Sequence, residues 1–400
     1  MGRQLQAGAG PDIDTAAGSP VAAMGAPYRG SGDDLCPSSR YRVSMTTNHV
    51  ILVGTRKGAF VVDPTPDVAA IRGPFCGTMP IQHLTWDPQT RSLLAGAGSP
   101  WYGPTVWRST DLGETWSQSS EGLTYGDGQP AVTRVWNITP AHGAVYAGVE
   151  PAGLFRSQDG GVSWEHVAGL RAHPSMEEWQ PGNGGLILHS IVPHPTDPDR
   201  MWVGISAVGT FHTRDGGATW VAQNQGVRAG FLPDPHPETG QCVHKLARHP
   251  SRPEVLFQQN HCGVYRSEDG GDSWVEITAG LPSEFGFPMV VHPQRPGTAY
   301  VIPLNGDDRG RYVPDGSMAV WRTQDDGATW DRRSAGLPQQ DAWVGVLREA
   351  MATDQGDPAS IYFGTSTGQL YGSADDGESW RLIASHLPGI SSVETAVVDA

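Results

Sequence analysis

The sequence predicts an all-β fold built from repeated four-stranded units, and three observations carry that prediction. An eight-residue motif recurs at steps of 48, 56, 54, 56 and 50 residues, the signature of a repeat architecture. Glycine and proline number 52 and 33 in a 400-residue chain, and charged residues are only 17%. That composition suits turns and excludes coiled coils and long helical bundles. Between the motifs lie short apolar runs rich in β-branched and aromatic residues, each bounded by turn residues.

The motif begins as Ser109-Thr-Asp111-Leu-Gly113-Glu-Thr115-Trp116. It returns around Asp159, Asp215, Asp269, Asp325 and Asp375, each time ending in Trp. Its chemistry is that of a hairpin. The Asp carboxylate accepts from turn amides and from a hydroxyl. Gly supplies positive φ. The Trp opens the returning strand and can bury its ring against the adjoining sheet.

Each unit reads as four strands. Around Asp215 these are Leu186 to Val192, Met201 to Ile205, Gly209 to Thr213, and a strand opened by Thr219-Trp220. Before the first motif, Val50 to Thr55, Gly58 to Asp63 and Ile71 to Phe75 supply three strands without a partner for the first. After the last motif, Ser391 to Val398 is an unused strand. Placing it beside Val50 to Thr55 closes a ring and removes the free edges. The expectation is a single seven-bladed β-propeller over residues 45–400, closed by its C-terminal strand. Residues 1–44 are Gly, Ala, Pro and Ser-rich with no apolar period, and read as a disordered tail.

These six motifs resemble the Asp-box (BNR) repeat, and the resemblance runs over roughly residues 49–398. The chain is similar to small bacterial BNR-repeat, sialidase-like or glycosyl-hydrolase-like propellers. The resemblance implies the propeller fold and leaves activity to be argued from the site. The Arg-Ile-Pro element of true sialidases does not occur in the sequence, so a true sialidase is not expected.

Charge and cysteines narrow the partners. Lys and Arg total 27 against 42 Asp and Glu, a net charge of −15. A nucleic-acid backbone wants the opposite sign. No run of about 18 apolar residues offers a membrane span. Cys36, Cys76, Cys242 and Cys262 are too sparse for a disulfide framework. With no apolar leader pattern at the N-terminus, the sequence reads as cytoplasmic.

Candidate chemistry lies where the repeat is broken. His194, His249 and His292 each precede Pro at one recurrent turn and read as architecture. Aligning the first strands of the units on their closing turns gives a polar column: Gln82, Arg134, His189, His244, Phe287 and Glu349. A second column after the second strands holds Arg56, Glu150, Ser206, Asn260 or His261, and Ser366. His189, His244 and His261, with His261 read as opening a third strand, can hold a divalent ion such as zinc, manganese, iron or nickel. The alternative is a hydrogen-bonded polar plug without metal. Glu349, Glu150, Arg134 and His83 are the candidate acid, base and binding groups for a small polar molecule in the channel. Cys242 and Cys262 read either as soft ligands or as inert buried thiols.

Long insertions at 171–185 and 226–241 carry Trp179 and Phe231, which with Trp343 read as stacking platforms or as packing between blades. The functional expectation is a hydrolase or lyase acting at the channel mouth on a small polar or glycoside-like substrate. Two alternatives stand beside it: a non-catalytic scaffold binding protein or ligand through its rim loops, and a glycosidase using a carboxylate pair.

Overall fold

A computed structural model of the chain describes residues 49–398, apart from 65–68, 78 and 100. The expected tail at 1–44 lies outside the described residues. What is described is almost wholly strand and turn, with three short 3-10 helices.

The strands pair antiparallel in quartets. One runs Leu188–Pro193, Met201–Ile205, Gly209–Thr213 and Val221–Ala222, each hydrogen-bonded to the next. The first strands of the quartets are Ile81–Asp87, Arg134–Ala141, Leu188–Pro193, Val243–Arg248, Gly286–Val291, Val346–Thr353 and Ile390–Val397. Each packs against the next around a cycle, and Ile390–Val397 packs back against Ile81–Asp87. The core lies between neighbouring sheets, as where Trp202, Leu246, Tyr265 and Trp274 pack together.

Closure comes from the two ends of the described chain. Ile390–Val397 pairs antiparallel with His49–Thr55, in register from His49 opposite Val397 to Gly54 opposite Ser392, with Ser391 skipped before Thr55 meets Ile390. His49–Thr55 then pairs with Gly58–Asp63, and that strand with Ala70–Phe75. Apolar residues on both faces of His49–Thr55 are fully buried, as a strand inside a ring requires.

The recurrent hairpins explain the repeat. In the third, Asp215 Oδ1 accepts from the Thr213 hydroxyl at 2.8 Å and the Thr219 N–H at 2.9 Å. Asp215 Oδ2 accepts the Thr219 hydroxyl at 2.6 Å. Gly216 and Gly217 sit at φ +67° and +93°, where a Cβ would be strained. The same Asp bonds recur at Asp111, Asp159, Asp269, Asp325 and Asp375. In two hairpins the closing Trp ties sheets together: Trp274 Nε1–H donates to Gln223 O and Trp330 Nε1–H to Ile277 O, both in the preceding quartet. Trp116 and Trp220 instead donate within their own hairpins, to Gly113 O and Gly217 O.

The His-Pro turns are structural too. His194 Nδ1 accepts from the Asp197 N–H, His249 Nδ1 from Ser251, and His292 Nδ1 from Gln294 and Arg295. Asp87 does the same for Gln89 with a carboxylate.

Candidate functional site

The site is built by a local irregularity repeated around the ring. In the first strand of each quartet the pairing with its neighbour skips. The skipped residue is Gln82, Trp136, His189, His244 and Ser391 in five of these strands. In Gly286–Val291 the skip spans Phe287 and Pro288, and in Val346–Thr353 it spans residues 347 to 350. A β-bulge of this kind re-aims a side chain out of the ladder. Here it divides the ring lining into two levels.

Apart from His189, which is fully buried, the bulges contribute side chains to the upper level. A cavity of about 550 Å³ is walled by Gln82, Trp136, Phe287, Arg348 and Ser391, with Arg56, Arg134, Arg311, Ser99 and Glu349 completing it. A second hollow of about 270 Å³ shares Phe287, Arg311 and Arg348 and adds Cys242, His244, His261 and Phe231. Together they form one basin with four arginines on a chain of net charge −15.

The residues after four of the bulges, together with Glu349 from the wider skip, line the lower level. His83, Asn137, Ser190, Lys245 and Glu349 share a cavity of about 350 Å³ with Glu394. Several cap the next strand: Ile138 N–H donates to His83 Nδ1 and Leu246 N–H to Ser190 Oγ, both at 3.2 Å. His83 Nε2 meets Glu394 Oε1 at 3.2 Å.

Glu349 stands between the levels, lining both the arginine basin and the lower cavity. It is 3% exposed. Its Oε2 pairs with the Lys245 ammonium, and its Oε1 is buried without a hydrogen-bond partner. A buried carboxylate oxygen with no protein donor is costly to leave dry, and the cavities on either side give it a route to water or a substrate.

The other expected residues fall as follows. Arg134 lines the basin, but two residues before the bulge, where Trp136 takes the place the turn-based alignment gave to Arg134. Its Nε lies 2.8 Å from Glu150 Oε2, which also accepts the Trp136 Nε1–H at 3.2 Å. Glu150 is thereby committed to holding Arg134 and Trp136. Arg348 lies over the rings of both Trp136 and Phe287, at 6.0 and 5.5 Å.

The three histidines do not converge as a set. His244 and His261 are neighbours, with ring centroids 5.6 Å apart. His189 has both ring nitrogens engaged: Nε2–H donates to Val243 O at 2.9 Å, and Nδ1 lies 3.0 Å from Ser190 Oγ. The group that does cluster is Cys242, His244 and His261, with ligand atoms within 4.8 Å of one another. His261 sits in the turn between Leu256–Asn260 and Gly263–Ser267, not at the start of a strand. Burial, then the Arg348 charge, push both His189 and His244 well below the usual imidazole range. Burial raises the Cys242 thiol.

Among the aromatic candidates, Trp179 is a packing residue. It is buried against Phe211 at 5.4 Å, and its Nε1–H donates to Ser175 Oγ. Phe231 is half exposed on the basin, edge-on to His261. Trp343 stands exposed against Tyr312. Sequence reasoning missed Trp101 and Tyr102, 92% and 80% exposed in the hairpin beside the basin residue Ser99. It also missed Lys245 and Glu394. A usable signal existed: His83, Ser190 and Lys245 are all polar at the position after the column residue.

No family model matches the chain. It is 26% identical over 249 residues to a xyloglucanase of Paenibacillus sp, covering 57% of this chain and 23% of that protein. It is 28% identical over 184 residues to the oligoxyloglucan-reducing end-specific xyloglucanase of Emericella nidulans, covering 44% of this chain and 19% of that one. The chain thus spans about a fifth to a quarter of the length of these relatives. Among solved structures, an ancestral GH74 enzyme superposes with a TM-score of 0.55 at 17% identity, over 79% of this chain and 40% of that one. YCF48 bound to D1 peptide does so with a TM-score of 0.51 at 17% identity, over 77% and 82%. These likenesses establish a β-propeller.

Proposed function

We propose that the chain is a seven-bladed, sialidase-like Asp-box propeller that hydrolyses a polar, glycoside-like substrate carrying negative charge, bound in the arginine basin. The observation that carries this reading is Glu349, a buried carboxylate with one oxygen on Lys245 and the other unpartnered, lining the basin. In this reading Glu349 is the base that takes a proton from an attacking water. Arg134, oriented by Glu150, and Arg348 bind the anionic part of the substrate and the negative charge that develops on the leaving oxygen as the glycosidic bond breaks, and that oxygen takes its proton from water in the channel. His83, paired with Glu394 on the lower side, belongs to the proton path out of the channel. Trp101 and Tyr102 offer flat apolar faces at the rim, where sugar rings stack. The xyloglucanase similarity supports a glycosidase over a lyase.

The test is a panel of neutral and uronic-acid aryl glycosides and oligoxyloglucans. Hydrolysis is expected for at least one acidic member. Glu349→Gln should lower kcat by about 10²–10⁴, with an unchanged melting profile. Turnover untouched by that substitution would end the assignment. The exposed Trp101–Tyr102 pair favours a second reading, a non-catalytic propeller gripping a partner at its rim. There, Trp101→Ala would abolish binding while no glycoside is cleaved.

A further inference from the structure

His189 and His244 occupy the same bulge position in neighbouring sheets, and each ties its blade to the next. His189 Nε2–H donates to Val243 O and His244 Nδ1–H to Gly286 O, the carbonyls just before the following bulges. They differ at the second nitrogen. His189 Nδ1 accepts the Ser190 hydroxyl, so that ring is fully used. His244 uses Nδ1 for the tie, which makes Nε2 its lone-pair nitrogen.

Around that ring the chain brings two more donors. Cys242 lies two residues upstream, and its carbonyl accepts the His261 N–H at 2.9 Å, which fixes the two across their hairpin. One ligand atom from each of Cys242, His244 and His261 falls within 4.8 Å of the others. Tetrahedral zinc with ordinary bond lengths spaces its ligands by about 3.4–3.7 Å, a gap that small side-chain rotations close.

We propose that Cys242, His244 and His261 form a mononuclear site for a thiophilic divalent ion, zinc in the first instance. One thiolate with two imidazoles is an N/S donor set of the kind zinc takes, and it leaves a fourth position open toward the hollow. The His244 Nδ1–H to carbonyl bond is the arrangement that orients a metal-binding imidazole and fixes its tautomer. Arg311 and Arg348 line the same hollow, so an anion suits the open position. The other grouping of donors, His292 with Asp357 and Asp376, is a closed ion-pair network: Arg295 pairs with both carboxylates and His292 Nε2 meets Asp376. The proposal concerns binding alone and stands whether or not the basin is catalytic.

The test titrates cobalt(II) into metal-free full-length protein. One equivalent should bind with a thiolate-to-cobalt charge-transfer band in the near ultraviolet, and zinc(II) should displace it. Cys242→Ser, or Cys242→Ala where the serine variant fails to fold, should abolish the band. His261→Ala should weaken binding about tenfold or more, and Cys262→Ser should leave the band unchanged. No band in the wild-type protein under excess cobalt, a band that survives loss of the Cys242 thiol, or one lost with Cys262 overturns the proposal.

Discussion

At the scale of single residues, burial pushes several imidazoles below their usual range, His189, His212 and His244 among them. His212 stacks flat on Trp202 with centroids 4.6 Å apart, and burial, with Arg214 next, pulls its pKa down to about 4. The native state therefore holds His212 unprotonated where the unfolded chain, near 6.5, would protonate it. Stability is full above pH 6.5 and falls as pH drops from 6.5 toward 4, at up to about 1.4 kcal/mol per pH unit for each such proton. Urea unfolding of His212→Phe across that range should show a slope shallower by one proton, with the stack kept; an unchanged slope would assign the acid loss elsewhere. Individual side chains were the least legible part of the sequence. His244, His261, Glu349 and His83 could be picked out because polar residues interrupt apolar runs. Their partners could not, since whether Cys242 or His189 lies beside His261 is set by the bulges and the hairpin pairing that aim each side chain.

At the scale of the element, legibility followed locality. The hairpin motif is complete within eight residues, so its Asp, Gly and Trp roles could be stated from chemistry alone. Asp159 illustrates the energetics. Burial works to raise its pKa, but bonds from Ser163, Ser157 and the Val162 amide win and bring it to about 2. Asp159→Ala hands those largely exposed donors to water and should cost about 0.5–1.5 kcal/mol, read as a lower melting temperature, while ligand binding per folded molecule persists. A melting temperature equal to the parent's would show that water replaces the carboxylate without loss. In acid the Asp159 contribution is present above about pH 4 and is lost as pH falls toward 2. The bulge is the opposite case. One extra residue in a strand leaves no mark on composition, so counting back from the closing turn reached Arg134 where the structure has Trp136.

At the scale of the whole molecule, the ring depends on one strand. Ile390–Val397 pairs with His49–Thr55 on one side and meets Val346–Thr353 through Glu349 opposite Ser392 on the other. Ile390 and Val393 are fully buried. Removing residues 390–400 therefore exposes both the ladder of His49–Thr55 and apolar surface that the other sheets bury, at about 25 cal/mol per Å². The truncated chain should lose its cooperative transition and bind hydrophobic dyes. The same pairing supplies the control. Val397 stands opposite His49 in an antiparallel register, so the end of the last strand lies beside the start of the first described one. Placing residues 390–398 directly ahead of His49 through a short Gly-containing turn converts the closure between chain ends into an ordinary hairpin. That permuted chain should regain a single cooperative melt near the parent's. If the truncated chain already melts like the parent, the C-terminal strand does not close the ring. If the permuted chain stays uncooperative while the parent folds, the strand is needed for something other than its pairing with His49–Thr55.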